Sequence, residues 1–268
     1  MAILHQMASV GDLAGVEHLL ESGVDPNLRD KQGSTALHCA ARTGQTAVAS
    51  LLVARGADLG ALDDKSWTPL HRAVDVFCGD PAVISLLLEA GADVNACSGS
   101  GWTPLHIATC LSDIRNTAEM VRLLLEHGAN PNALSEESYT PLQVAAGGGD
   151  TMSQVVELLL EAGAEPNACD QEGRTALHKS FYGWRVNVEL LSHGADPNAP
   201  DKDGDTPLHW AVRGYNIRFA RALVKAGADV GHRNNAGLTP LDEARTQDDA
   251  LVEVLMRGSG GSSAARHL

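Results

Sequence analysis

Aromatic residues are scarce in this chain: phenylalanine, tyrosine and tryptophan make up 4% of its 268 residues. Long apolar runs are missing too. Stretches such as Leu86-Leu87-Leu88 and Leu123-Leu124-Leu125 fall far short of the ~18 residues that cross a bilayer. The first ten residues, Met1 to Val10, lack the cationic start and apolar stretch of a secretory signal. A cytoplasmic or nuclear protein is expected. Cysteine is sparse, with Cys39, Cys78, Cys97, Cys110 and Cys169 forming an odd set without a C-x-x-C pair. That spacing argues against a disulfide framework and against a zinc site, and reads as buried or half-buried thiols in a reducing compartment. Basic residues are outnumbered, 20 against 34 acidic, for a formal charge of −14. Nucleic acid and anionic membrane surfaces need clustered Lys and Arg, so neither is expected as a partner. What remains, 44% hydrophobic and 20% charged, is the composition of a soluble, foldable chain.

What is present is repetition. A Thr-Pro/Ala-Leu-His-like string recurs with its threonine at Thr35, Thr68, Thr103, Thr140, Thr175, Thr206 and Thr239, at intervals of 33, 35, 37, 35, 31 and 33 residues. A second marker is a glycine at Gly23, Gly56, Gly91, Gly128, Gly163, Gly194 and Gly227. Each glycine precedes its threonine by 12 residues, whereas threonine to the next glycine varies from 19 to 25. One connection is rigid and the other tolerates insertion.

The residues explain both parts. In Thr68-Pro69-Leu70-His71 the threonine caps a short helix and the proline takes its first position, where a missing N–H costs nothing. A second helix follows, with apolar residues at helical spacing such as Val121, Leu124 and Leu125. Glycine ends it in the left-handed conformation. The 12-residue link holds turn residues, as in Asp30-Lys31-Gln32-Gly33, and reads as a projecting turn or hairpin. One helix pair is too small to bury its own apolar face, so each borrows a wall from its neighbour.

These strings resemble the ankyrin repeat, with its 33-residue period and T-P-L-H-x-A signature. The fold expected is an all-α, ankyrin-repeat solenoid of stacked helix pairs with projecting β-turn or hairpin loops. The repeat domain covers 1–257, with units at about 1–28, 29–61, 62–96, 97–133, 134–168, 169–199, 200–232 and 233–257, eight helix pairs in all. Residues 258–268 read as a flexible Gly/Ser tail. Departures from the pattern are Gln143 and Asp242 in place of the motif histidine, and Ser66 and Ser138 in place of the turn glycine. The unit at 169–199 is two residues short near Phe181-Tyr182-Gly183-Trp184.

The resemblance assigns His38, His71, His106, His178 and His209, with Thr35, Thr68, Thr103, Thr140, Thr175 and Thr206, a structural role: the imidazole bonds backbone and threonine hydroxyl, tying one hairpin to the next. It also implies that the turn asparagines Asn95, Asn132, Asn167 and Asn198 are open to hydroxylation in a suitable host. Patterns resembling chemistry are weak. Asp201, Asp203 and Asp205 lack the spacing of a calcium loop, and Gly147-Gly148-Gly149 lacks the Lys-Ser/Thr of a phosphate loop. No serine stands in a nucleophile-elbow string. No catalytic residue, metal ligand, cofactor or small-molecule substrate is expected.

The resemblance implies a curved stack whose turn tips and first helices line a concave, protein-binding face. The residue before each motif threonine varies, and three consecutive units place an aromatic there: Trp67, Trp102 and Tyr139. Trp and Tyr dominate interface hot spots. Local packing on the ring's own hairpin is the alternative. Lys65, Glu136, Glu137, Arg174 and Trp210 complete the candidate contact residues, and the insertions at Val76–Gly79, Cys110–Asp113 and Gly147–Gly149 lengthen one rim. The function expected is that of a scaffold or adaptor binding another protein through a basic or apolar segment. Alternatives are a targeting module of a larger enzyme, channel or pathogen effector, and an enzyme with a site in the groove.

Overall fold

The computed structural model describes residues 2–75, 80–110, 116–246 and 249–259. The chain divides into two compact units, 1–136 and 137–268, and each is built of helix pairs. The first unit holds α1 (Ala2–Val10), α2 (Leu13–Glu21), α3 (Ala36–Arg42), α4 (Thr46–Ala54), α5 (Pro69–Val74), α6 (Pro81–Glu89), α7 (Pro104–Thr109) and α8 (Thr117–Glu126). The second holds α9 (Pro141–Gly147), α10 (Ser153–Glu161), α11 (Ala176–Lys179), α12 (Trp184–Ser192), α13 (Pro207–Arg213), α14 (Ile217–Lys225), α15 (Pro240–Ala244) and α16 (Asp249–Ser259). No strand occurs among the described residues. The fold is an all-α solenoid of helix pairs.

Each first helix after α1 begins at its motif threonine, whose extended backbone makes it the N-cap. Proline at the first helical position fixes φ where no hydrogen bond is lost. Each second helix of a complete repeat ends at its marker glycine: all seven take φ between 83° and 94°. A side chain there would cost roughly 1–2 kcal/mol. At Gly56 the turn closes with Gly56 N–H donating to Val53 C=O (3.0 Å) and Ala57 N–H to Leu52 C=O (2.9 Å).

Within each unit, first helices pack on first helices and second on second: α1, α3, α5, α7 and α2, α4, α6, α8; then α9, α11, α13, α15 and α10, α12, α14, α16. The leucine two places after six of the seven motif threonines (Leu37, Leu70, Leu105; Leu142, Leu177, Leu208) is buried between them, and Leu241 in the last repeat is half-buried. Burying such a side chain stabilises by roughly 1.5–3 kcal/mol. Three residues on stands a small one (Ala40, Ala73, Ala108; Ala145, Ser180, Ala211), also buried, so neighbouring first helices can approach.

The short repeat gives α11 only four residues, and a 3-10 turn, Gly149–Met152, fills the insertion after α9. The insertions at Val76–Gly79 and Leu111–Asp113 lie outside the described residues, as does Cys78. Helix α16 runs through Ser259, into the stretch read as a tail, and 260–268 lie outside the described residues. Among the described cysteines, Cys97, Cys110 and Cys169 are exposed and Cys39 is half-buried, which corrects the expectation of sheltered thiols for those three. Cys97 and Cys169 follow the Asn-Ala of the Gly-to-Thr connection, on its solvent side.

Candidate protein-binding face

The turn and the start of each first helix are fastened by one set of hydrogen bonds. His71 Nδ1 accepts the Thr68 backbone N–H (3.2 Å) and hydroxyl (2.8 Å), and Nε2–H donates to Trp102 C=O (3.1 Å). His38 binds Thr35 and Trp67 C=O, His178 binds Thr175 and Asp205 C=O, and His209 binds Thr206 and Leu238 C=O in the same way. His106 accepts from Thr103 N–H at 3.2 Å. Because Nδ1 accepts an N–H it carries no proton, so the ring is the neutral Nε2–H tautomer. Burial lowers the pKa of His38, His71, His178 and His209. These imidazoles hold the turn and leave neither nitrogen for a metal or a proton transfer. Gln143 does the same job: Oε1 accepts Thr140 N–H (2.9 Å) and Nε2 donates to the carbonyls of Ala168 (2.9 Å) and Arg174 (2.8 Å).

Five residues before the threonine, an Asp, Ser or Asn closes the turn by accepting two backbone N–H groups, as Asp63 Oδ1 does from Lys65 (2.8 Å) and Trp67 (3.1 Å). The second oxygen reaches a residue on the first helix, four places after the threonine. Arg72 Nε donates to Asp63 Oδ2 (2.8 Å), Lys179 Nζ lies 2.8 Å from Asp170 Oδ2, and Trp210 Nε1 donates to Asp201 Oδ2 (3.0 Å). Burial alone would raise the Asp63 and Asp170 carboxyls; the N–H donors and the neighbouring cation outweigh it and hold both below the usual carboxylate range. Asp201, Asp203 and Asp205 come within 4.8 Å of one another, but Asp201 is taken by the Asp203 and Asp205 N–H groups and Trp210, and Asp205 by Arg213. The cluster is a turn.

The residue before the threonine and the residue four after it therefore share one face. Trp67, half-buried, stacks on His71 with centroids 6.1 Å apart, and Arg72 (4.6 Å) and Lys65 (5.2 Å) lie over its ring. Trp102, also half-buried, is tilted against His106 at 5.7 Å. In the second unit Lys179 lies 4.7 Å over Tyr139, and Arg174 lies 4.9 Å over Trp210. Glu136 and Glu137 stand exposed on a turn tip, their backbones bonded to Ser100 C=O and Gln171 N–H respectively. Of the sequence candidates, the structure brings Lys65 to Trp67 and Arg174 to Trp210. It gives each ring one face against its own or the adjacent repeat. Sequence reasoning passed over Arg72 and Lys179; the signal was their fixed offset from the motif threonine. Phe181 and the exposed Tyr182 were noticed only as the place where a repeat is short.

Such a chain is a helix-pair repeat protein, with uniform fastenings inside and variable aromatic and charged residues on one face of each unit. The family profile described as ankyrin repeats (3 copies) matches residues 4–97, 75–170, 114–201, 146–234 and 182–263. The chain belongs to the ankyrin repeat family. Ankyrin repeats are protein-interaction modules. Among solved structures, the ankyrin repeat domain of Bcl-3, described as a unique member of the IkappaB protein family, superposes with a TM-score of 0.73 at 31% identity, covering 84% of this chain and 100% of that one. Serine/threonine-protein kinase 12 of Arabidopsis thaliana is 39% identical over 71 residues, 26% of this chain and 16% of that protein. The ARF GTPase-activating protein GIT1 of Homo sapiens is 41% identical over 71 residues, 26% of this chain and 9% of its own length. The chain thus spans a sixth or less of these relatives. No helix among the described residues is long and apolar enough to cross a membrane.

Proposed function

We propose that this chain is a non-enzymatic scaffold or adaptor that holds a partner protein on the face formed by its turns and first helices. The observation that supports it most is the half-exposed ring of Trp67, braced by Lys65, His71 and Arg72. A ring held in place loses little entropy when a partner covers it. Trp102 on the next repeat repeats the arrangement with His106. The apolar rings suit apolar partner side chains, and the exposed Glu136 of the same unit suits basic ones. The cytoplasm or nucleus is the compartment we assign. The similarity to segments of much longer kinase and GTPase-activating proteins favours a second reading, in which these repeats target a larger protein.

The test is affinity capture from the source cells, identification of the bound protein by mass spectrometry, and calorimetry with the purified pair. Replacing Trp67 and Trp102 by alanine is expected to weaken binding by about 2 kcal/mol or more per ring, with the helical spectrum unchanged. Unchanged affinity for a stoichiometric partner refutes the site.

A further inference from the structure

The sixth and seventh repeats carry something the other repeats lack. Between residues 123 and 173 the sequence contains no lysine or arginine, yet Arg174, Lys179 and Arg213 then line one open cavity of about 600 Å³ without a carboxylate in its wall. The carboxylates lie behind it. Asp170 holds Lys179, and Asp205 with Glu243 holds Arg213, all three acids being buried. Arg174 is different. No carboxylate among the described residues lies within ion-pair distance of it, and its Nε is closed off from solvent without an acceptor. Its guanidinium rests 4.9 Å over the Trp210 ring. Stacking uses the face of the group and leaves the in-plane N–H donors of its tip to meet an oxyanion.

The rest of the wall is aromatic. Phe181 lies over Gly214, where an added Cβ would come within 2.0 Å of the ring. Its carbonyl accepts from Asn216 Nδ2 at 2.6 Å. Tyr182 meets Phe181 edge-on at 4.7 Å and is still 84% exposed. Two deleted residues end α11 early and swing this ring pair out beside Trp210. A large exposed ring held by a packed neighbour is a prepared contact surface.

We propose that this cavity binds an acidic peptide segment of a partner protein, a Glu or Asp carboxylate meeting Arg174 and Lys179 while an adjacent apolar side chain covers Phe181, Tyr182 and Trp210. The inference rests on the protein-binding reading and extends it, since it assigns this face the opposite charge class from the one proposed for the first unit. Charge complementarity decides for a peptide of this kind. Arg174 has no ion pair among the described residues and stands beside Lys179 and Arg213, whose acids lie behind the cavity wall, and the apolar wall asks for more than a bare anion.

The experiment measures fluorescence anisotropy of labelled peptides with the whole chain. One peptide alternates glutamate with phenylalanine and leucine, a second has lysine for every glutamate, and a third has serine for every apolar residue. The first is expected to bind, more weakly as ionic strength rises, and the other two to bind at least roughly tenfold less well. Arg174→Ala and Tyr182→Ala are each expected to weaken the first peptide by roughly tenfold, Arg174→Lys to fall between Arg174→Ala and the parent, and Arg221→Ala on α14 to leave it unchanged. Circular dichroism verifies that each variant is folded. The proposal is overturned by equal binding of glutamate and lysine peptides, by no binding at millimolar concentration, or by indifference to Arg174→Ala. Equal binding of the serine peptide, or displacement by millimolar inorganic phosphate, overturns it in favour of a simple anion site. Its failure is separable from that of the wider reading, because a captured partner lost on Trp67 and Trp102 replacement would still stand.

Discussion

Replacing His71 by alanine and, separately, by glutamine tests the fastening that the fold relies on. His71 is fully buried and satisfies three polar groups: the Thr68 N–H, the Thr68 hydroxyl and the Trp102 carbonyl. Alanine leaves a buried N–H and a buried carbonyl without partners, at about 1–3 kcal/mol each. It also leaves a ring-sized gap beneath Trp67, and together the losses come to about 3–6 kcal/mol. Glutamine is a different case, because Gln143 already makes the equivalent bonds to Thr140, Ala168 and Arg174. His71→Gln should retain the polar network and lose mainly the stacking at 6.1 Å, about 1 kcal/mol. Urea titration followed by circular dichroism and by tryptophan fluorescence measures both variants. Repeats unfold as coupled modules, so midpoints are compared only where the slope is unchanged. Should glutamine cost as much as alanine, the donor-and-acceptor explanation of this position is wrong.

Acid should loosen the same fastenings. Burial lowers the pKa of His38, His71, His178 and His209 below the usual 6.5, so below pH 6.5 the unfolded chain takes up protons that the folded one refuses. Their contribution is complete above pH 6.5 and is lost as pH falls towards the depressed values, by up to about 1.4 kcal/mol per unit for each imidazole. Thermal melts from pH 7.5 down to pH 5 should show falling midpoints, and a flat profile would contradict the neutral tautomer. Ser66 and Ser138 stand at φ +57° and +61°, where other turns have glycine. Ser66→Gly and Ser138→Gly should each stabilise by roughly 0.5–1 kcal/mol, the relief of left-handed strain less the added flexibility of the unfolded chain. Differential scanning calorimetry reads this directly, and a lowered melting temperature would refute it.

The helix pairs were legible because each carries its own punctuation. Thr68-Pro69 announces a start, Gly91 an end, and Leu70 the buried side. The binding face was legible only in part. Trp67, Trp102 and Lys65 could be singled out, but not Arg72, the second cation over Trp67, because it follows the motif by an offset that only the stacked helices give a meaning. Arg174 meets Trp210, and Tyr139 meets Lys179, across separations set by the varying lengths of intervening turns. Phe181 was harder still. Its ring occupies space over Gly214, one repeat on, and no periodicity marks a ring that leaves its own repeat.

The fastenings also explain a rule of length. Within each unit, successive repeats are joined near one end by side-chain amides: Asn95 Nδ2 donates to Gly128 C=O (3.0 Å) and its Oδ1 accepts Asn130 N–H (2.8 Å), with Asn167 and Asn198 spanning to Gly194 and Gly227. Near the other end they are joined by the imidazoles reaching the carbonyl before the next threonine. Both anchor points fall inside the twelve-residue span from glycine to threonine, which acts like a ruler bolted at two holes. Cutting or lengthening that span would pull one bolt out of line, whereas the bend between the two helices touches neither. Evolution can therefore splice extra residues into the bend, or duplicate the whole module, without remachining the joints.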